Sequence, residues 1–190
     1  VTGCCGFIGS HFTERLLNMP GAQVLGVDML LNNYSTKRKQ LNLMILTRYP
    51  NFAYRQEDIR TSDAICSWKP DVIIHLASSA GVRASLEDPT YYVKNNIEAF
   101  VHVLNEARLY GVRRVFYASS SSVYGSNTEL PYSESDTVTQ CVSPYACSKL
   151  AMEQYAHMFS SLYDLQCIGF RFFTVYGPRG RPDMAPYKLL

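Results

Sequence analysis

Thr2-Gly3-Cys4-Cys5-Gly6-Phe7-Ile8-Gly9 is the stretch on which the fold turns. Its glycines stand three apart, between an apolar start at Val1-Thr2 and a segment, Ser10–Asn18, that reads as a helix with Phe12, Leu16 and Leu17 inward. A strand end, a tight turn and a helix start let backbone approach a pyrophosphate at a helix N-terminus. An isolated glycine-rich loop is equally well a set of turn glycines, so the remainder of the chain has to decide.

Outward from the loop, strand and helix patterns alternate. Val24–Val27 is an apolar run ending at Asp28, residues 35–48 read as helical, and Phe52–Tyr54 is a short strand ahead of Asp58-Ile59. Asp71–Ala77 is nearly all apolar, as expected of a strand covered on both faces. Residues 91–109 carry Ile97, Val101 and Leu104 at helical spacing. Arg114–Ala118 reads as another buried strand, Tyr145–Leu162 as a long helix and Gln166–Phe170 as the strand after it. There are no repeats, no low-complexity tract and no linker. The alternation predicts α/β architecture, a Rossmann-like doubly wound parallel sheet with helices on both faces. Ligands bind such sheets beyond the carboxyl ends of the strands. Gly3–Gly9, Asp28, Asp58, Ala77, Ser119–Ser122 and Thr174 all fall there.

At 190 residues, 47% hydrophobic and 18% charged, the chain is an ordinary globular domain and not a disordered one. A net charge of +2 is too mild to argue for nucleic acid, and Lys37-Arg38-Lys39 and Arg113-Arg114 read as solvated faces. The cysteines at 4, 5, 66, 141, 147 and 167 form no Cys-x-x-Cys pair, and the four histidines have no paired metal-ligand spacing, so no metal is expected. A disulfide between Cys4 and Cys5 would distort the glycine turn, which favours a reducing compartment. No apolar stretch reaches membrane-spanning length. The chain opens on Val1 with no methionine, part-way through a strand, so a targeting segment or anchor stays an open matter.

Tyr145-Ala-Cys-Ser-Lys149 places a tyrosine and a lysine four apart, on one helix face. Ionising a tyrosine at neutral pH requires a shift of about 3 units, or about 4 kcal/mol. The Lys149 charge and a positively charged nicotinamide are the expected sources. Taken alone the pair is also consistent with a core tyrosine and a solvent-seeking lysine. Ser119-Ser120-Ser121-Ser122, just after a buried strand, is either a loop or a set of hydroxyls facing a cofactor and a sugar. Asp28 at a strand end accepts hydrogen bonds from ribose hydroxyls and repels a ribose phosphate, favouring NAD over NADP. Asp58 either caps a helix or, with Ile59, meets an adenine ring. His75 and Trp68 are assigned to structure.

With these motifs together the chain resembles the extended short-chain dehydrogenase/reductase superfamily, in its sugar-nucleotide epimerase/dehydratase branch. Ala80-Gly81-Val82-Arg83, Tyr117 to Gly125, Arg171 to Pro178 and Gly180-Arg181-Pro182-Asp183-Met184-Ala185 are similar to UDP-glucuronate 4-epimerases. The resemblance implies that Tyr145 takes the proton from the sugar 4-hydroxyl while hydride passes to NAD. The 4-keto sugar then rotates and hydride returns to its other face. It implies catalytic roles for Ser120, Tyr145 and Lys149. The implied cofactor contacts are Gly3, Gly6, Phe7, Ile8, Gly9 and Asp28, joined by Asp58, Ile59, Leu76, Ala77 and Asn96. The implied substrate contacts are Arg83, Ser120, Ser121, Ser122, Thr174 and Arg181. Dehydratases and decarboxylating relatives carry acidic residues where this chain has Ser121 and Ser122. Departures occur at Ser78-Ser79, where Ala-Gln is common, and at Met29 to Tyr34. The resemblance further implies a homodimer and a cytoplasmic location, or a Golgi membrane anchor lost from the N-terminus. Residues 1–190 would be the NAD-binding part of a longer enzyme, without its C-terminal substrate-binding lobe. A UDP-glucose/UDP-galactose 4-epimerase and a non-catalytic nucleotide-binding module are the alternatives.

Overall fold

The computed structural model describes residues 1–127, 129–182 and 184. Strands Val24–Val27 (β1) and Phe52–Arg55 (β2) pair in parallel, as do Val72–His75 (β3), Arg114–Ser120 (β4) and Gln166–Phe172 (β5). Val1-Thr2 joins the two groups, because Thr2 bridges Val27 on one side and His75 on the other. The order across the sheet is therefore β2, β1, Val1-Thr2, β3, β4, β5. Connections from Val1-Thr2 run first one way and later the other, which opens a crevice at the carboxyl ends of Thr2 and β3. The glycine loop starts there.

Helices cover both faces. Phe7–Leu17 (α1) and Thr36–Leu46 (α2) enclose one core with Cys4, Cys5, Leu17, Val24 and Leu46. On the other face, Pro89–Tyr92 (α5), a π-helical turn at Val93–Glu98 and Ala99–Leu109 (α6) follow one another directly. They pack beside Pro144–Tyr163 (α7) over Ile73, Val115 and Tyr117. Ala64–Trp68 (α3) and Val82–Glu87 (α4) are short additions.

Several sequence expectations need correction. The first helix begins at Phe7, not Ser10, because Gly6 at its N-cap is already extended and the turn ends there. The 91–109 segment is interrupted by the π turn rather than uniform. The β3 strand is not enclosed on both faces: Ile73 and His75 point into the α6–α7 core, whereas Val72 is 40% exposed. Among the described residues, no helix is long and apolar enough to cross a membrane.

Candidate active site

The glycine loop has little freedom. Gly3 has φ +71°, and a Cβ there would meet the Ala77 amide at 2.7 Å. A Cβ at Gly9 would lie 2.0 Å from the Gly3 carbonyl oxygen, so helix and turn are in backbone contact. Side chains at either position would push α1 off the sheet. The Gly6 N-cap offers α1 no side-chain bond, leaving the helix start to an anion. Across the crevice, the Asp28 carboxylate accepts from the Cys5 amide (3.0 Å) and the Leu30 amide (2.8 Å), which fixes its orientation at the end of β1.

One cavity of about 470 Å³ runs along this crevice. Gly3, Gly6, Phe7, Ile8 and Gly9 line it at the loop, and Asp28, Asp58, Ile59, Leu76 and Ala77 at the strand ends. Ser120, Ser121, Ser122, Tyr145 and Lys149 line its other end, joined by Thr174 and Arg181. Asp58 does not cap α3, whose N-cap is Asp63. Its carboxylate instead holds Arg60 at 2.5 Å, and that guanidinium keeps Asp58 below the usual carboxylate range.

Helix α7 delivers the tyrosine and the lysine. Ser143 caps it by accepting from the Ala146 amide (3.1 Å), and Pro144 occupies the first turn, where its missing N–H costs nothing. Lys149 is fully buried and donates to Ser78 Oγ (2.7 Å) and to the Ala118 carbonyl (2.8 Å). Its Nζ stands 5.9 Å from the Tyr145 ring centroid. Both partners are neutral, and burial lowers its pKa to about 7. Burial also raises Tyr145, while a hydrogen bond with Ser120 and the Arg181 charge pull it down. The lysine lies behind the ring and is tied to β4 and Ser78.

Two implied site residues lie elsewhere. Arg83 is exposed on α4 and does not line the cavity. Asn96 is fully buried and faces protein. Its side chain accepts from the Ser79 amide (2.8 Å) and donates to the Ser79 carbonyl (3.0 Å) and Ser148 Oγ (2.9 Å). It is a clamp on the strand following β3, one residue from the Ser78 that holds Lys149. Asn95 is the neighbour that lines the cavity, donating to Ser79 Oγ at 2.8 Å. Asp183 and Ala185, part of the resemblance, lie outside the described residues.

Sequence reading also missed Lys39. Assigned to a solvated basic face, it is only 5% exposed. It donates to the Leu31 carbonyl (2.6 Å) and Asn33 Oδ1 (2.7 Å), and its ammonium lies 4.5 Å from the Tyr34 ring centroid. With Asn33 and Tyr34 it lines the cavity near Asp28. The signal was the spacing of Lys39, Asn42 and Leu46, which puts all three on the buried face of α2.

Comparisons with known proteins agree with this architecture. The model of the NAD dependent epimerase/dehydratase family matches residues 1–190. The chain is 42% identical to Protein CapI of Staphylococcus aureus over 192 residues, which cover 99% of this chain and 57% of that protein. It is 41% identical to UDP-glucuronate 4-epimerase 2 of Arabidopsis thaliana over 189 residues, covering 97% of this chain and 43% of that one. The crystal structure of UDP-glucuronic acid 4-epimerase from Bacillus cereus in complex with UDP-glucuronic acid and NAD matches with a TM-score of 0.93 at 35% identity. That match covers 99% of this chain and 60% of the Bacillus chain. The chain thus spans 43% to 60% of the length of these three relatives. Matched over all 190 residues, it belongs to the NAD dependent epimerase/dehydratase family.

Proposed function

We propose that residues 1–190 form the NAD-binding domain of a longer enzyme, a 4-epimerase of a UDP-hexuronate that interconverts UDP-glucuronate and UDP-galacturonate. The observation that carries this reading is the meeting of Tyr145, Ser120 and Lys149 with the glycine loop and Asp28 along one cavity. The Cβ-free approach at Gly3 and Gly9 and the side-chain-free N-cap of α1 fit a dinucleotide pyrophosphate. The orientation of Asp28 fits ribose hydroxyls. When bound, NAD supplies an acceptor for hydride from the sugar C4 and returns it to the other face.

The chain's own residues do the proton chemistry. Tyr145 Oη accepts the 4-hydroxyl proton, and Ser120, which lines the same end of the cavity and favours the charged form of Tyr145, holds the oxygen from which that proton leaves. Lys149 stands behind the ring, fixed by Ser78 and the Ala118 carbonyl, and supports the phenolate when protonated. Ser121, Ser122 and Thr174 present hydroxyls, and Arg181 a positive charge, at the end of the cavity where a sugar carboxylate would lie. Neither Ser121 nor Ser122 supplies the acid/base pair that elimination of water requires. A homodimer and a cytoplasmic location complete the proposal. Exposed apolar residues on α6 and α7 support the first, and two thiols inside the glycine turn support the second.

The test is to incubate the full-length protein carrying this chain with UDP-glucuronate and, separately, with UDP-glucose, following products by NMR. The proposal expects UDP-galacturonate and little or no UDP-galactose. Preferential conversion of UDP-glucose would transfer the enzyme to the neutral hexoses, and no conversion of either would leave a nucleotide-binding module.

A further inference from the structure

The two residues between Gly3 and Gly6 are cysteines, and the fold brings a carboxylate to them. Cys4 and Cys5 are fully buried, with their sulfurs 3.7 Å apart. Asp28 arrives from the end of β1, and the two sulfurs and a carboxylate oxygen all lie within 4.8 Å of one another. This triad is invisible in the spacing, since Asp28 is 23 residues from Cys5. We propose that Cys4, Cys5 and Asp28 form a site for a thiophilic divalent cation such as Zn²⁺ or Cd²⁺. Occupation of the site excludes the dinucleotide.

The geometry suits such an ion. Two thiolates at a Zn–S distance of ~2.3 Å and a tetrahedral angle stand roughly 3.8 Å apart, close to the separation of the sulfurs here. A third, oxygen ligand would lie roughly 3.6 Å from each sulfur, against the limit of 4.8 Å here, so the carboxylate has to close by about 1.2 Å at most. A water supplies the fourth position. Soft thiolates select Zn²⁺, Cd²⁺ or Cu⁺ over Mg²⁺ and Ca²⁺.

The residues around the triad keep it assembled. Gly26 has no side chain where Cys4 Sγ lies: a Cβ there would be 2.7 Å from the sulfur. Asn42 donates to the Cys5 carbonyl at 2.9 Å, and the Cys5 amide holds Asp28. Asp28 lines the cavity and both cysteines are fully buried, so an ion has to reach the sulfurs past the carboxylate. Binding balances without redox chemistry: two thiol protons leave to solvent, the ion takes both thiolates and the carboxylate, and the complex carries one net negative charge. Because Asp28 is then turned to the ion and the loop is drawn toward it, ribose and pyrophosphate lose their partners together. That competition rests on the dinucleotide reading above, whereas the metal site does not.

The experiment uses the purified, reduced chain with Cys66, Cys141, Cys147 and Cys167 replaced by Ser, titrated with Cd²⁺. The ultraviolet thiolate-to-cadmium band should saturate at one ion per chain. Cys4→Ala with Cys5→Ala should abolish the band, and Asp28→Asn should weaken binding by roughly tenfold or more. Circular dichroism verifies the fold of each variant, with Cys4→Ser and Cys5→Ser singly as substitutes where the double variant does not fold. A folded parent without the band, or a band that survives in the folded variants, overturns the site. In a second arm, Cd²⁺ should displace NAD from the parent and leave it on the Cys4→Ala/Cys5→Ala variant. Saturation by Cd²⁺ with NAD retained overturns the competition. Failure of the metal-free parent to bind NAD contradicts the cofactor reading and leaves the cadmium arm to stand by itself.

Discussion

Burial beside two neutral oxygens brings Lys149 down to about 7, and this has a consequence for stability. Its folded pKa lies below the unfolded value of about 10.4. Between about pH 7 and 10 the unfolded chain binds a proton that the folded chain does not, so stability rises with pH through that window. Below about pH 7 the full penalty of a buried charge is present. We predict that the stability of the wild type relative to Lys149→Met, by urea denaturation, climbs from pH 7 to 10 and is flat below pH 6. A constant difference across that range would mean that Lys149 stays charged when folded. At Tyr145 the outcome is catalytic. Tyr145→Phe in the full-length protein should keep NAD but lose turnover by roughly 10²–10⁴-fold, the usual worth of a positioned base. Turnover like the wild type would remove Tyr145 from the mechanism. For the carboxylate, Thr174→Ala and Ser121→Ala with Ser122→Ala should lower kcat/KM for UDP-glucuronate more than for UDP-glucose. Hydrogen bonds to a charged group are worth about 1.5–3 kcal/mol. Equal losses on both substrates would show that these hydroxyls do not read the acid.

At the scale of elements, the π turn at Val93–Glu98 accompanies the inward turn of Asn96, whose clamp on Ser79 joins it to α7 through Ser148. Asn96→Ala would strand the Ser79 amide and carbonyl inside the protein, at a cost of about 1–3 kcal/mol each. The urea midpoint should fall accordingly, and a loss within ~0.5 kcal/mol would mean that water replaces the amide. The sequence made β1, β2, β4, β5 and α7 legible because each is an apolar run or a helical stripe of several residues. It did not show α3 and α4, of five and six residues, since neither completes two helical turns. Nor did it show the π turn, which leaves the apolar spacing nearly unchanged. Most of the proposed site could be read because its residues stand at strand ends. Asn96 and Arg83 do not line the cavity for a different reason: motif position fixes where a residue lies in the chain, not which way its side chain turns. Lys39 was missed because a basic triplet looks solvated until the burial of α2 is known.

For the whole molecule, the chain spans 43% to 60% of the length of three relatives, and the proposed function makes it part of a longer enzyme. The described part holds the glycine loop, Asp28, Ser120, Tyr145 and Lys149, so we expect residues 1–190 to bind NAD. Holding a sugar in near-attack geometry and excluding water supply much of the rate, so we expect no useful epimerisation from this piece alone. Leu109 and Tyr110 at the end of α6, and Tyr155, Leu162 and Tyr163 on α7, are exposed although the opposite faces of both helices are buried. The full-length protein should therefore be a homodimer by light scattering at micromolar concentration, and a monomer would refute that assembly. The central claim, that hydride leaves C4 and returns to C4 within one site, is tested most directly with UDP-glucuronate deuterated at C4. The account predicts UDP-galacturonate from the full-length protein with the deuterium still at C4 and none lost to solvent. UDP-galacturonate carrying solvent hydrogen at C4 would contradict it.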